Sequence, residues 1–286
     1  MSLLLAFDDE AALAQALAAA LGWPLALVDR HRFPDGETRL RLPPRLPPRV
    51  ALLRGLQQPN EKLTELMLAA AGARELGAEQ LTLVSPYLAY MRQDIEFTPG
   101  EVVSQRHLGR ALAGWFDAVV TVDPHLHRVA TMDEVVPGRR GVALTAAPLL
   151  GEFIARQVPG ALLVGPDAES AQWVAVAAAR AGLEHAVCRK LRHGDHEVEV
   201  VLQGRAVVLL DDVASTGRTL IAAARGVLAG GAASVDVAVT HGLFVDDAVA
   251  RLREAGVHRI WSTDCVPHPS NALSVVPLLA AALRAP

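Results

Sequence analysis

The chain has 286 residues, which is enough for two ordinary domains, and 51% of them are hydrophobic, so a sizeable core can form. The formal net charge of −4 argues against a nucleic-acid-binding surface. The cysteines, Cys188 and Cys265, show no metal-ligand spacing and indicate a reducing compartment. We recognise neither a signal peptide nor an uninterrupted apolar run of membrane-spanning length, so we expect a cytoplasmic protein without a membrane partner.

Short β-rich apolar runs alternate with longer Ala- and Leu-rich stretches along the chain. This alternation indicates βαβ units and mostly parallel sheets. In chain order, the first half contains strand 3–7, helix 10–21, strand 50–54, helix 60–76, strand 81–85, helix 104–115 and strand 118–122. The second half contains helix 147–157, strand 161–165, helix 170–181, strand 206–210, helix 219–229, strand 235–240, helix 246–255 and strand 259–262.

The pattern of strands and helices runs twice, and residues 137–141 read as a hinge because they are rich in Gly and Arg after a proline. We therefore predict two similar α/β domains, 1–140 and 141–286, each with a mostly parallel central sheet flanked by helices. A last predicted helix, 277–284, is compatible with packing on either domain. Ligands of open parallel sheets bind beyond the carboxyl ends of strands, so the residues that follow each strand are the candidates for function.

The strongest candidate site follows strand 206–210, where two acids precede a hydroxylated loop and a helix start. Loop N–H groups and a helix N-terminus bind anions. Asp211 and Asp212 can accept hydrogen bonds from sugar hydroxyls or bind magnesium through water. The residues suited to a phosphate are Ser215, Thr216, Gly217 and Thr219. The acids alone would be compatible with a simple helix cap, but the whole order of residues favours a ribose phosphate site.

Other strand ends also carry polar residues. His125 follows strand 118–122 and could bind metal or phosphate, or belong to a hydrogen-bonded turn. Arg92 follows strand 81–85 and could clamp a phosphate, or be an ordinary surface arginine. Asp167 follows strand 161–165 and could bind a metal or a sugar hydroxyl, or cap the next helix.

Two loops complete the set of candidates. Residues 33–37, Phe-Pro-Asp-Gly-Glu, are predicted from composition to form a turn. Residues 188–197 are dense in charge and include Lys190 and Arg192. Such a loop is either simply solvated or a mobile cover over reacting phosphates.

Taken together, these segments resemble a known family. Residues 211–219 resemble the PRPP-binding motif of the type I phosphoribosyltransferase fold. Nearly the whole chain resembles the ribose-phosphate pyrophosphokinase (PRPP synthetase) family, in which the same motifs occur in the same order. The segments that carry this resemblance are 33–37, 59–63, 90–94, 123–125, 165–167, 190–192 and 211–219. The chain departs from the family pattern at residues 95–97 and 167–170.

The resemblance implies a magnesium-dependent transfer of the pyrophosphoryl group from ATP to ribose 5-phosphate, giving PRPP and AMP. Ribose 5-phosphate would be held by Asp211, Asp212, Ser215, Thr216, Gly217 and Thr219. ATP would be held by Arg92, Gln93 and Asp94, and by residues that reach across a subunit interface of a homo-oligomer, namely Phe33, Asp35 and Glu37. The Mg²⁺ ligands would be His125 and Asp167. The pyrophosphoryl group in transfer would be stabilised by Lys190 and Arg192.

Two other functions share part of this pattern. A salvage phosphoribosyltransferase, which consumes PRPP, would have the 211–219 loop but would not account for residues 33–37, for Arg92 to Asp94 or for a duplicated domain. A non-catalytic regulatory homologue would share the fold, but retention of His125, Asp167, Lys190 and Arg192 argues against it.

Overall fold

A computed structural model describes residues 2–126, 128–188 and 202–285 of the chain. The chain divides into two compact units. Unit 1 comprises Met1–Leu144 and Val275–Pro286, and unit 2 comprises Thr145–Ser274.

Unit 1 is built on a parallel sheet whose strand interiors are short aliphatic runs. Its strands are β1 (Ser2–Ala6), β2 (Leu25–Leu27), β3 (Asp29–Arg32), β4 (Thr38–Arg41), β5 (Arg49–Leu53), β6 (Gln80–Ser85), β7 (Ala118–Val122) and β8 (Arg140–Leu144). Its helices are α1 (Ala11–Leu21), α2 (Pro59–Glu75), α3 (Ser104–Trp115), α4 (Met132–Val135) and α9 (Val276–Arg284). The sheet order is β2-β1-β5-β6-β7-β8, with every neighbouring pair parallel, while β3 and β4 form a separate antiparallel hairpin.

Unit 2 repeats this plan. Its strands are β9 (Leu162–Gly165), β10 (Glu184–Val187), β11 (Ala206–Ala214), β12 (Ser234–Gly242), β13 (Val257–Thr263) and β14 (Asn271–Leu273). Its helices are α5 (Ala147–Gln157), α6 (Ala171–Ala181), α7 (Arg218–Ala229) and α8 (Ala248–Glu254). The sheet order is β10-β9-β11-β12-β13-β14, and the neighbouring strands are again parallel. The interior of β11 is buried, as expected for a strand covered on both faces.

The last helix belongs to unit 1, a choice that the sequence left open. Helix α9 packs against α1, the guanidinium of Arg284 donates to the carbonyl of Ala20, and Arg49 donates to the carbonyl of Leu283 at 2.7 Å. Strand β8 also belongs to unit 1 because it pairs with β7 along its length. The units therefore differ from the predicted domains, 1–140 and 141–286, at both ends of the second domain.

The predicted strands and helices of both halves are present, with small shifts at their ends. The largest extension is in β11, which continues through Asp211 and Asp212 to Ala214 because these residues pair with β12. Sequence patterns missed the short or exposed elements, which are β2, β3, β4, β8, β10, β14 and α4. Strand β10 is an edge strand that pairs with β9 alone among the described strands, and it begins with the exposed Glu184 and His185, so it lacks an apolar alternation.

Candidate functional site

Three carboxylates interact electrostatically at the carboxyl edge of the unit 2 sheet, and we call Asp167, Asp211 and Asp212 the acid site. Asp211 and Asp212 lie near the end of β11, and Asp167 lies two residues beyond the end of β9. Strand β11 pairs in parallel with β9 from Val207 to Leu209 and with β12 as far as Ala214, so the carboxyl ends of these strands reach the same edge. The structure thus brings Asp167 near two acids that follow it by 44 and 45 positions in the sequence.

The acid site is electrostatically unfavourable for its own charges. The pKa of Asp211 is raised well above its ordinary value, first by burial and then by the negative charges of Asp212 and Asp167. One carboxylate oxygen of Asp211 accepts a hydrogen bond from the Asp212 N–H at 3.1 Å, which opposes the shift. A carboxyl in this setting ionises more readily when a cation or a hydrogen-bond donor approaches it. A polyhydroxyl ligand supplies such donors.

Asp167 caps a helical turn, which is the structural role that the sequence offered as the alternative to ligand binding. Its Oδ1 atom accepts the N–H groups of Glu169 at 3.1 Å and Ser170 at 3.3 Å, so it caps the 3₁₀ turn that leads into α6. Capping uses this one oxygen in the described chain and is compatible with ligand binding through the other oxygen. Burial, and after it the charge of Asp167, raises the pKa of the Cys188 thiol to about 11. Cys188 is therefore a poor nucleophile at neutral pH.

The phosphate loop, residues 215–217 together with Thr219, connects the acid site to α7. Gly217 is the residue before the helix and has a left-handed φ of 68°, a conformation that costs glycine little. Thr216 is exposed, whereas Ser215 and Thr219 are half-buried. The first turn of α7 leaves N–H groups without intrahelical partners, so this corner has the donors that an anion requires.

The predicted ATP residues of unit 1 lie after β6. Arg92 is exposed, Gln93 is half-buried and Asp94 is buried. The Gln93 amide donates to the Ile95 carbonyl at 3.1 Å and to Glu101 at 3.2 Å, which gives the segment a defined shape. The exposed Arg92 therefore projects from a segment whose conformation is fixed by hydrogen bonds.

A cavity of about 320 Å³ adjoins this segment inside unit 1. Its lining includes the buried Asp94 and Gln105 and three exposed arginines, Arg106, Arg110 and Arg128. The Arg128 guanidinium lies 3.7 Å from the Asp94 carboxylate. The lining therefore combines three arginines with the carboxylates of Asp94 and Glu134.

The predicted turn at residues 33–37 is confirmed, and it forms the tip of the β3–β4 hairpin. The Phe33 N–H donates to the Glu37 carbonyl at 2.8 Å, and Asp35 accepts the Glu37 N–H at 3.1 Å. Phe33, Asp35 and Glu37 are all exposed. Within the described residues no hydrogen bond or ion pair joins this tip to Arg92, Gln93 or Asp94, so one chain does not bring the two groups together by direct polar contact.

The remaining predicted residues lie in different places. His125 is half-buried after β7 in unit 1, whereas Asp167 belongs to unit 2. Lys190 and Arg192 lie outside the described residues. Across residues 2–126, 128–188 and 202–285, no group of three or more His, Cys, Asp or Glu side chains is arranged to hold a metal ion. In the same part of the chain, no helix has the length and apolarity needed to cross a membrane.

Family models match both ends of the chain. The N-terminal domain of ribose phosphate pyrophosphokinase matches residues 2–114, and the phosphoribosyl synthetase-associated domain matches residues 189–279. A ribose-phosphate pyrophosphokinase from Methanopyrus kandleri is 37% identical over 291 residues, covering 99% of this chain and 98% of the relative. One from Methanosarcina acetivorans is 34% identical, with 95% of each chain covered.

The chain belongs to the ribose-phosphate pyrophosphokinase family. The crystal structure of phosphoribosylpyrophosphate synthetase from Mycobacterium smegmatis matches with a TM-score of 0.87 and 25% identity, over 99% of this chain and 97% of that one. The predicted fold class, two phosphoribosyltransferase-type domains with mostly parallel sheets, is thereby confirmed.

Sequence reasoning missed a buried ion cluster in this member of the family. Its members lie at the carboxyl edge of the unit 1 sheet and are Asp9, Glu10, Arg54, Lys62 and Glu65. Arg54 is fully buried, donates to Asp9 at 2.6 Å, pairs with Glu65 and covers the Phe7 ring at 4.3 Å from its centroid. The available signal was positional, since Asp9 and Glu10 follow β1 and Arg54 follows β5, two neighbouring strands.

Proposed function

We propose that this protein is a ribose-phosphate pyrophosphokinase that converts ATP and ribose 5-phosphate into PRPP and AMP. The observation that carries this proposal is the acid site with its adjoining phosphate loop, in a chain that belongs to this family over nearly its whole length. An acidic edge for sugar hydroxyls beside an anion-binding helix start is the chemistry that a ribose phosphate requires.

In this proposal ribose 5-phosphate binds to unit 2. Asp211 and Asp212 accept hydrogen bonds from the ribose hydroxyls, which offsets the burial and the repulsion that raise the pKa of Asp211. Ser215, Thr216, Gly217 and Thr219 bind the 5-phosphate through hydroxyl and backbone N–H groups. The ribose hydroxyls thus meet hydrogen-bond acceptors, and the anionic phosphate meets hydrogen-bond donors.

ATP binds to unit 1 through Arg92, Gln93 and Asp94. The exposed Arg92 supplies a bidentate donor for a phosphate. Phe33, Asp35 and Glu37 are proposed to reach the adenine of a neighbouring subunit, because they project from an exposed hairpin tip without polar contact to Arg92, Gln93 or Asp94 in the described chain. The proposed active form is therefore a homo-oligomer with a shared ATP site. We propose the cytoplasm as its location.

Magnesium fits the donors that the chain offers. Carboxylate oxygens are the ligands that Mg²⁺ prefers, and the mutual repulsion within the acid site would be reduced by a cation. Asp167 and His125 are the proposed protein ligands, directly or through water. When bound to the nucleotide, magnesium neutralises part of the phosphate charge that develops during transfer.

The residues of the chain then act mainly by positioning and by electrostatics. The anomeric hydroxyl oxygen of ribose 5-phosphate attacks the β-phosphorus of ATP in line, the bond from that phosphorus to the α,β-bridging oxygen breaks, and AMP leaves. The hydroxyl proton passes to solvent. Asp211 and Asp212 orient the ribose, and Lys190 and Arg192 are proposed to stabilise the pyrophosphoryl group in transfer.

One assay separates this function from its rivals. The purified protein is mixed with ribose 5-phosphate, ATP and magnesium, and both AMP and PRPP are quantified. Stoichiometric formation of both products is expected. If neither product forms, PRPP and a nucleobase are added instead, and their consumption would identify a salvage phosphoribosyltransferase. Binding of ribose 5-phosphate and ATP without turnover would identify a regulatory homologue.

A further inference from the structure

The phosphate loop is supported from one side by residues 243–245, which we call the support segment. This segment directly follows β12. The N–H groups of Leu243 and Phe244 both donate to the carbonyl of Ala214, at 3.0 and 2.9 Å, and the N–H of Val245 donates to the carbonyl of Ser215 at 3.1 Å. Two successive carbonyl groups of the phosphate loop region are therefore fixed by main-chain hydrogen bonds.

These bonds also determine where the donors of the phosphate loop point. In a trans peptide the C=O and the following N–H point in opposite directions within one plane. Because the carbonyls of Ala214 and Ser215 point at the support segment, the N–H groups of Ser215 and Thr216 point away from it. The support segment thus aims two backbone donors toward the side on which a phosphate would bind.

The support segment has an unusual backbone at Phe244. Its φ is 35°, in the left-handed region that non-glycine residues rarely adopt. Such a conformation persists where the surrounding structure holds it, and it is concentrated at ligand-binding sites. Here the Phe244 side chain is buried, and its ring lies 4.9 Å from the His268 ring.

The packing around this ring leaves little room for another conformation. A Cβ atom placed on Gly242 would lie 2.8 Å from the Phe244 ring, so a glycine is required beside it. Within the phosphate loop, Gly217 packs against α8, where a Cβ atom would meet Leu252 and Ala248 at ordinary contact distances of 3.6 and 3.8 Å. Ring packing and main-chain bonds therefore act on the same loop.

We propose that Phe244 is a positioning residue for ribose 5-phosphate. Its buried ring holds a left-handed backbone, and that backbone orients the phosphate-binding N–H groups of Ser215 and Thr216. This inference rests on the proposed binding of ribose 5-phosphate at the phosphate loop. Phe244 itself makes no contact with the reacting atoms in this scheme.

The test compares two substitutions that differ in backbone preference and in polarity. Phe244→Val keeps an apolar side chain, but a β-branched residue strongly disfavours positive φ. Phe244→Asn places a polar group in a buried position, but asparagine tolerates positive φ. If the backbone conformation matters, Val weakens ribose 5-phosphate binding more than Asn. If only apolar burial matters, the order is reversed and follows thermal stability.

We expect Phe244→Val to raise the KM and the calorimetric Kd for ribose 5-phosphate by about ten- to hundredfold, as for a small misplacement of binding groups. The KM for ATP should be unchanged. Phe153→Ala is the matched control, because it removes a ring of the same unit that packs on Trp261 instead. It should leave the affinity for ribose 5-phosphate as it is.

The outcomes are distinguishable. Absence of ribose 5-phosphate binding in the unmodified protein would contradict the proposed function. Binding by the unmodified protein with equal affinity in the folded Val and Asn variants, or with the weaker affinity in Asn, would overturn the positioning role alone. If Phe244→Asn does not fold, Phe244→Gly replaces it, since glycine also accepts positive φ.

Discussion

The two units carry acids at the same sheet edge, but in the described part of the chain cations balance these acids only in unit 1. In unit 1 the edge between β1 and β5 holds the ion cluster, and in unit 2 the corresponding edge between β9 and β11 holds the acid site. In both, the next helix starts after a residue with left-handed φ, Gln58 at 53° and Gly217 at 68°. The architecture is shared, but the charges that fill it differ.

The difference lies in how the acids are balanced. In unit 1 the buried Arg54 neutralises Glu65 and Asp9, and Lys62 donates to the carbonyl of Gly55 at 2.7 Å. In unit 2 the charges that act most on Asp211 are those of other acids, and both raise its pKa. We infer that the unit 1 edge is stabilised by its own cations, whereas the unit 2 edge keeps an unfavourable charge that a ligand can relieve.

The strongest test of this comparison removes the cation of unit 1. Arg54→Met should lower the free energy of unfolding by about 3–5 kcal/mol, because it leaves the buried Glu10 without its arginine and leaves Glu65 with Arg30 alone. Urea unfolding measures the change. Arg41→Met is the matched control: Arg41 pairs with Asp29 at the surface, so its loss should cost less than about 1 kcal/mol. Equal effects of the two substitutions would contradict the role of the cluster.

A second test concerns the cations proposed to act on the phosphates near the acid site. Lys190→Ala and Arg192→Ala should each lower kcat by about two orders of magnitude, as for other lost transition-state contacts, with little change in KM. The double variant should fall short of additivity if both act as one unit. Steady-state kinetics measure this, with Arg189→Ala as the neighbouring control. A kcat within a few-fold of the unmodified enzyme in folded variants would place the catalytic cations elsewhere.

The third test uses pH to probe the ion cluster. Burial raises the pKa of Glu10 from 4.5 to about 7, although Arg54 and Lys62 oppose the shift. A raised pKa means that the folded state favours the protonated acid, so its contribution to stability is present below pH 4.5 and is lost as the pH rises through 7.

Glu10→Gln should remove that dependence, which is about 3 kcal/mol across the window, while keeping an acceptor for the Gly55 N–H. Unfolding free energies at several pH values measure the difference between the two proteins. The exposed Glu61, replaced by Gln, serves as the control and should retain the original slope. Parallel curves for Glu10→Gln and the unmodified protein would count against a titrating Glu10.

The smallest expected effect has opposite signs for stability and for binding. Asp211→Asn removes an acid whose ionisation burial and neighbouring charges disfavour in the folded state, so it should raise the free energy of unfolding at neutral pH by about 1 kcal/mol. It should also weaken ribose 5-phosphate binding by about tenfold, because a charged acceptor is lost. Thermal unfolding and isothermal titration measure both, with the exposed Glu184→Gln as control. Unchanged affinity, also in Asp212→Asn, would rule out the assignment.

The regular framework of this protein was predictable from its sequence, because the patterns concerned are local. Strand β7, Ala118–Val122, and helices α3 and α5 occur at their predicted bounds. Their apolar spacing repeats within a few residues, so neighbouring side chains suffice to indicate the element. The order of the motifs at the strand ends likewise indicates the family from the sequence alone.

Pairing between distant segments decided the rest. The β3–β4 hairpin consists largely of charged residues and forms through its ladder, and β11 continues past Asp211 because β12 supplies backbone partners. The pKa values of Glu10 and Asp211 depend on burial and on charges that only the fold brings near. The sequence identifies the ionisable residues, but the tertiary structure determines which of them are neutralised by a partner and which remain available to a ligand.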